Sequence, residues 1–109
     1  MATFGIVIVT VDQQVTAQEI AQALVSDRLA ACVNLFPIHS VYRWEGTVEQ
    51  SPEWQLVMKT DLELFDKIVE ALSLLHPYEV PEVLAFPIQQ GYGPYVSWLG
   101  ESVRSVESL

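Results

Sequence analysis

Cysteine occurs once in the 109 residues, at Cys32, so no disulfide can form within the chain and the thiol content gives no sign of an oxidising compartment. Positive charge is scarce as well: five Lys and Arg stand against fourteen Asp and Glu, a formal charge of -9. Such a chain repels phosphate backbones and anionic lipid heads, which argues against nucleic acid as a partner and leaves cations as the natural counter-ions. No apolar stretch approaches the ~20 residues that cross a bilayer, so no membrane partner is expected. The N-terminus shows none of the basic region, long apolar run and small-residue cleavage site of a secretory leader; with the lone thiol, this sets the expectation of a cytoplasmic protein. Catalytic signatures are missing too. There is no G-x-G-x-x-G, P-loop, H-E-x-x-H, C-x-x-C or G-x-S-x-G, Gly91-Tyr92-Gly93 reads as a turn, and Cys32 has only Arg28 at hand to stabilise a thiolate, so no enzyme is expected.

What the chain has in quantity is hydrophobic side chains, 50% of all residues. A single domain of this size buries roughly 60–70% of the surface its unfolded chain exposes, so residues 1–109 are expected to form one domain, and the apolar surplus points to burial against another subunit.

The pattern along the chain is that of two strand-helix-strand halves. Phe4 to Val11 is β-branched and apolar, a buried central strand. Thr16 and Glu19 have capping-box spacing, and Ala17, Ile20, Ala21, Leu24 and Val25 trace an amphipathic helix that ends near Asp27 to Leu29. Ala31 to Trp44, the turn Glu45-Gly46-Thr47 and a return through Trp54 and Met58 form a β-hairpin. A strand of about 12 residues rises roughly 40 Å at ~3.3 Å per residue, so the hairpin overhangs the domain and its end, with Val41, Tyr42 and Trp44, is expected to meet a neighbouring subunit. Pro37 and Pro52 imply a bulge or an edge position. Thr60 and Glu63 have the second capping-box spacing, followed by a helix with Phe65, Ile68, Val69, Leu72 and Leu75 inward that Pro77 stops. Val83 to Ile88 reads as the fourth strand, and Pro94 to about Val106 as a terminal helix with Tyr95, Trp98 and Leu99 inward. The order β-α-β-β-α-β plus a short C-terminal helix is an α+β, ferredoxin-like sandwich with a long hairpin.

Several side chains carry chemistry, each with a structural alternative. His76, Tyr78, Glu79 and Glu82 place nitrogen and oxygen donors within seven residues, stiffened by Pro77 and Pro81; His76 can equally satisfy the end of the preceding helix. Lys59 at a strand-helix junction can meet an anion or pair with a carboxylate, and Arg28 beside Asp27 poses the same choice. Cys32 is expected to pack as a small hydrophobe and His39 to bond locally or at an interface. Tyr42, Trp44, Trp54, Tyr95 and Trp98 are assigned to packing in the core or between subunits.

Five segments in order, Arg28-Leu-Ala-Ala-Cys-Val-Asn34, Tyr42-Arg-Trp-Glu-Gly46, Lys59-Thr60, His76-Pro-Tyr-Glu-Val-Pro-Glu82 and Tyr95-Val-Ser-Trp-Leu99, resemble the CutA divalent-cation tolerance family. The resemblance implies a non-enzymatic subunit of a tight homotrimer, similar in architecture to the PII signalling proteins, with Tyr42, Trp44 and Trp54 at the trimer interface. It implies binding of copper or another divalent cation through His76, Glu79 and Glu82, with Cu(II) the candidate cofactor. The alternative it leaves open is a PII-like module that holds a small polar molecule through Lys59, Tyr78, Glu82 and Arg28. Some members carry a Cys before the first-strand Thr and a His-His pair before Pro-Tyr; here those positions are Val9 and Leu75-His76, so one candidate soft ligand of three remains. Asp12 stands where the family has a Pro, a carboxylate that can meet a hard divalent ion or face water.

Overall fold

The alternation that marks Phe4–Val11 as a strand also decides where the core lies. In the computed structural model, which describes residues 2–105, Val7, Val9 and Val11 are buried while Ile6, Ile8 and Thr10, alternating with them, are half-buried on the opposite face. This strand, β1, is central: it pairs antiparallel with β3 (Thr47–Asp61) on one side and β4 (Val83–Pro87) on the other, and β2 (Cys32–Trp44) adds to β3 at the edge. The sheet order β2-β3-β1-β4, with helix α1 (Gln14–Ser26) joining β1 to β2 and α2 (Phe65–Leu75) joining β3 to β4, is the expected ferredoxin-like arrangement. One sheet face meets Ala17, Ile20 and Leu24 of α1, Ile68 and Leu72 of α2 and Leu99 of α3 (Gly93–Ser102) in a single apolar cluster.

The helix starts differ from expectation. Ala17 N–H already donates to the Gln13 carbonyl at 3.0 Å, so α1 begins at Gln14 and Thr16 lies inside its first turn, with no side-chain cap at Gln13. At the second helix the cap is Asp61, whose Oδ1 accepts from Glu63 N at 3.0 Å and from Thr3 N at 3.2 Å and opens a 3-10 turn, Leu62–Leu64, ahead of α2. Thr60 is fully buried instead, its hydroxyl donating to the Leu29 carbonyl at 2.6 Å and tying β3 to the end of α1. The first capping box fails because the helix already begins at Gln14, and the second because Thr60 is drawn into a buried bond with the distant Leu29 carbonyl.

Helix α1 ends in a Schellman closure, with Leu29 N donating to Leu24 O at 2.9 Å and Arg28 N to Val25 O at 3.0 Å. Arg28 occupies the left-handed position of that motif, φ 58°, where glycine is the usual residue. Its guanidinium donates to the carbonyls of Glu101 at 2.6 Å, Ser102 at 3.3 Å and Val103 at 3.4 Å, placing a cation on the free carbonyls that end α3.

The hairpin register runs without a break from Cys32↔Lys59 to Trp44↔Thr47, so Pro37 reflects the edge position of β2 and not a bulge. Pro52 sits beyond Trp54, the last β3 residue paired with β1. The turn is two residues, Glu45 and Gly46, both at positive φ (48° and 83°), as a tight hairpin that follows strand twist requires. The overhang gives the molecule a long axis of 44 Å. At the C-terminus α3 ends at Ser102, and Val106, the expected helix end, lies outside the described residues. Of its three expected inward residues only Leu99 is buried; Tyr95 and Trp98 are 43% and 44% exposed, with ring centroids 5.3 Å apart. Val69 and Leu75 of α2 also point away from the core. The sheet face opposite the helices presents Ile6 and Ile8 of β1, Phe36 and Ile38 of β2 and Leu84 and Phe86 of β4, covered by no described element of the chain.

Candidate functional site

Where the open sheet face bends up into the hairpin, the segment between α2 and β4 closes a cleft of about 620 Å³. Thr10 and Gln55 come from the paired strands β1 and β3, Ile38, Ser40, Tyr42 and Trp44 from alternate positions of β2, and Tyr78, Glu79, Val80 and Glu82 from the connecting segment. Glu53, from β3, also lines it and is the residue the sequence reading overlooked. Its signal was strand parity: it shares a face with Gln55, Val57 and Lys59, two-residue steps along β3.

His76 anchors the connecting segment. It is 8% exposed; its Nε2 donates to the Thr10 carbonyl at 2.7 Å, and its Nδ1 accepts the Tyr78 N–H at 3.1 Å. A carbonyl only accepts and an N–H only donates, so the ring is the neutral Nε2–H tautomer with both nitrogens engaged. The rings of His76 and Tyr78 meet edge-on at 4.7 Å. Tyr78 is thereby aimed at Glu53, and its hydroxyl donates to Glu53 Oε2 at 2.8 Å. Burial, the hydrogen bond to the Glu53 carboxylate and the negative charges of Glu53 and Asp12 hold the phenol well above its ordinary pKa, so it remains a neutral donor. Glu53 is itself only 8% exposed, and among the described residues nothing bonds its other carboxylate oxygen. Every charged residue among the described lining is a glutamate: Glu53, Glu79 and Glu82.

The structure joins some of the expected site residues and separates others. Tyr78, Glu79 and Glu82 share the cleft with the interface candidates Tyr42 and Trp44, the latter 56% exposed. Lys59 does not reach it: its Nζ donates to Asn34 Oδ1, on the open face beside Cys32. Arg28 is committed to the carbonyls ending α3. Trp54 packs against the helix-side core of its own chain, and His39 bonds Gln50 at 3.0 Å on the hairpin. The expected metal set of His76, Glu79 and Glu82 is not assembled within the chain. The imidazole has no free lone pair, and no group of three His, Cys, Asp or Glu among the described residues is arranged to hold a metal. The donors present in one chain therefore do not fit a resident metal centre.

A four-stranded antiparallel sheet backed by helices on one face, with a long hairpin and an acidic cleft at its root, defines a ferredoxin-like domain. The CutA1 divalent ion tolerance family matches residues 5–102, and the chain belongs to that family. The divalent-cation tolerance protein CutA of Thermus thermophilus is 46% identical over 98 residues, 89% of this chain and 95% of that protein. Protein CutA of Mus musculus is 44% identical over 101 residues, 92% of this chain, which spans 57% of the longer mouse protein. The crystal structure of CutA1 from Oryza sativa superposes with a TM-score of 0.91 at 41% identity, covering 94% of this chain and 95% of that one. The family is named for ion tolerance and not for a reaction.

Proposed function

We propose that this chain is a non-enzymatic, cation-binding subunit of a cytoplasmic homotrimer that serves tolerance to divalent ions, with the cleft at the hairpin root as its binding site. The observation that carries this reading is the charge of the cleft: Glu53, Glu79 and Glu82 line it, and no basic side chain stands among the described lining residues. The second oxygen of Glu53 has no partner among the described residues and opens to the cleft, so a positive guest meets a carboxylate already held in place by Tyr78. Divalent ions enter as cargo drawn by this field, in keeping with the family name. An anionic metabolite held through Lys59 and Arg28 lacks support, since both cations are engaged elsewhere.

Self-association is supported by Phe36, Leu84 and Phe86, exposed on the uncovered apolar face, and by Val48, exposed on the overhang; the stoichiometry of three follows the family resemblance, and the cytoplasmic placement rests on the single thiol. The test is calorimetric titration of metal-free protein with Cu(II) and Zn(II), with the mass measured by light scattering in the same buffer. A trimeric mass and saturable binding that Glu53→Gln weakens are expected. A folded monomer, or binding unchanged in Glu53→Gln, would overturn the proposal.

A further inference from the structure

The cleft is far larger than a bare ion needs, and most of its wall is not built for one. A metal ion takes four or more donors at 2.0–2.6 Å from a common centre, yet no three such side chains converge among the described residues. Ile38, Val41 and Val80 offer apolar surface, and Tyr42, Trp44 and Tyr78 offer aromatic rings, none of which a hydrated ion uses. About 620 Å³ lies within the range of sites for small organic molecules, mostly apolar with a few placed polar groups. Carboxylate with aromatic walls is the recognition chemistry of an organic cation, whose charge is drawn both to the carboxylate and to ring faces.

The polar group is already placed. Glu53 is nine-tenths buried, and Tyr78 fixes one of its oxygens at 2.8 Å; the other is left without a partner among the described residues. Tyr78 is in turn held by His76, which bridges the Tyr78 N–H and the Thr10 carbonyl. The anchor is thus preorganised, so little ordering opposes binding. We propose that the cleft takes an organic ammonium or guanidinium ion, its cationic head on the free oxygen of Glu53 and its apolar body against Ile38, Tyr42 and Trp44. This rests on the reading of the cleft as a cation site and narrows the ligand class from any cation to an organic one.

The test is calorimetric titration of the EDTA-treated and dialysed full chain with 2-phenylethylammonium and with n-butylguanidinium. Butyrate serves as an anion of similar size and Zn(II) as the metal arm. Saturable binding of the organic cations at one per chain, with none for butyrate, is expected. Glu53→Gln removes the charge at nearly constant shape and should weaken binding by about tenfold or more, the range for losing a charge-assisted hydrogen bond. Glu82→Gln, at an exposed position that leaves the fold intact, should weaken it by a smaller factor. Zn(II) binding without either organic cation overturns this proposal and leaves the cation reading standing, whereas binding of none of the cations overturns both. Organic cations that bind both variants as well as the wild type place the site elsewhere and also overturn it.

Discussion

Replacing Tyr78 by Phe isolates the contact on which the cleft is built. The substitution keeps the ring, and so the edge-on packing against His76 at 4.7 Å, and removes only the hydroxyl that donates to Glu53 Oε2 at 2.8 Å. A hydrogen bond to a charged acceptor contributes ~1.5–3 kcal/mol, and stranding a buried carboxylate costs at the upper end of that range. Here the remaining Glu53 oxygen has no partner among the described residues and the cleft admits water, so part of the loss is recovered by hydration and the expected cost is ~1–2 kcal/mol. In a chain of this size a change of about 1 kcal/mol moves Tm by roughly 4–8 °C. The assay is urea and thermal unfolding at fixed protein concentration, since association would otherwise shift the midpoint. A double-mutant cycle with Glu53→Gln completes it. The glutamine side chain is neutral and still offers the phenol an acceptor, so Tyr78→Phe should cost less in that background, leaving a coupling of ~0.5–1.5 kcal/mol. Zero coupling, or a Tyr78→Phe protein as stable as the wild type, would show that the hydroxyl and the carboxylate do not act as a pair and would refute the account of the anchor.

Three further outcomes follow from the same structure. The Tyr78 phenol has a folded-state pKa raised above its unfolded value near 10, so the native state holds its proton longer; the stability it contributes is fully present below pH ~10 and is lost as pH climbs through the folded value. Absorbance titration should show one tyrosine ionising after the others, and Tyr78→Phe should remove that late step. Thr60→Val is close to isosteric but leaves the Leu29 carbonyl without the 2.6 Å hydroxyl donor in a fully buried place, so a loss of ~1–3 kcal/mol is expected in urea unfolding. His76→Ala removes the link from Thr10 to Tyr78, and amide exchange should speed up in the connecting segment 77–82 while α1 stays protected; equal protection in both proteins would show the imidazole is not the anchor.

Much of this architecture was legible in one dimension. The apolar run Phe4–Val11, the periodicities of α1 and α2, and the long apolar segment turning at Glu45-Gly46 are local signals, because strand and helix periods are set by backbone geometry before any contact forms. Pro77 stops α2 for the same local reason, since the residue before proline is driven out of the helical region. The same spacing rules misplaced both helix starts. A hydroxyl at Thr16 or Thr60 fits a cap by separation along the chain, but the first helix starts two residues before Thr16 and the second hydroxyl is taken by the Leu29 carbonyl.

The cleft lies at the other end of that scale. Tyr78 and the glutamates after it stood out as a cluster, but the acceptor of the Tyr78 hydroxyl, Glu53, is 25 residues away, and only antiparallel pairing of β3 with β1 and β2 carries it to the same place. Lys59 and Arg28 carried the expected charge, but folding turned one toward Asn34 and the other onto the carbonyls ending α3. The composition determined the sign of the net charge and so of the long-range field around the protein, because net charge is a sum that needs no coordinates. Which carboxylate would be buried, which of its oxygens would be left open and that His76 would be used up in holding the wall were decided by tertiary structure alone, because hydrogen bonds form between groups that are near in space and those groups are far apart in the chain.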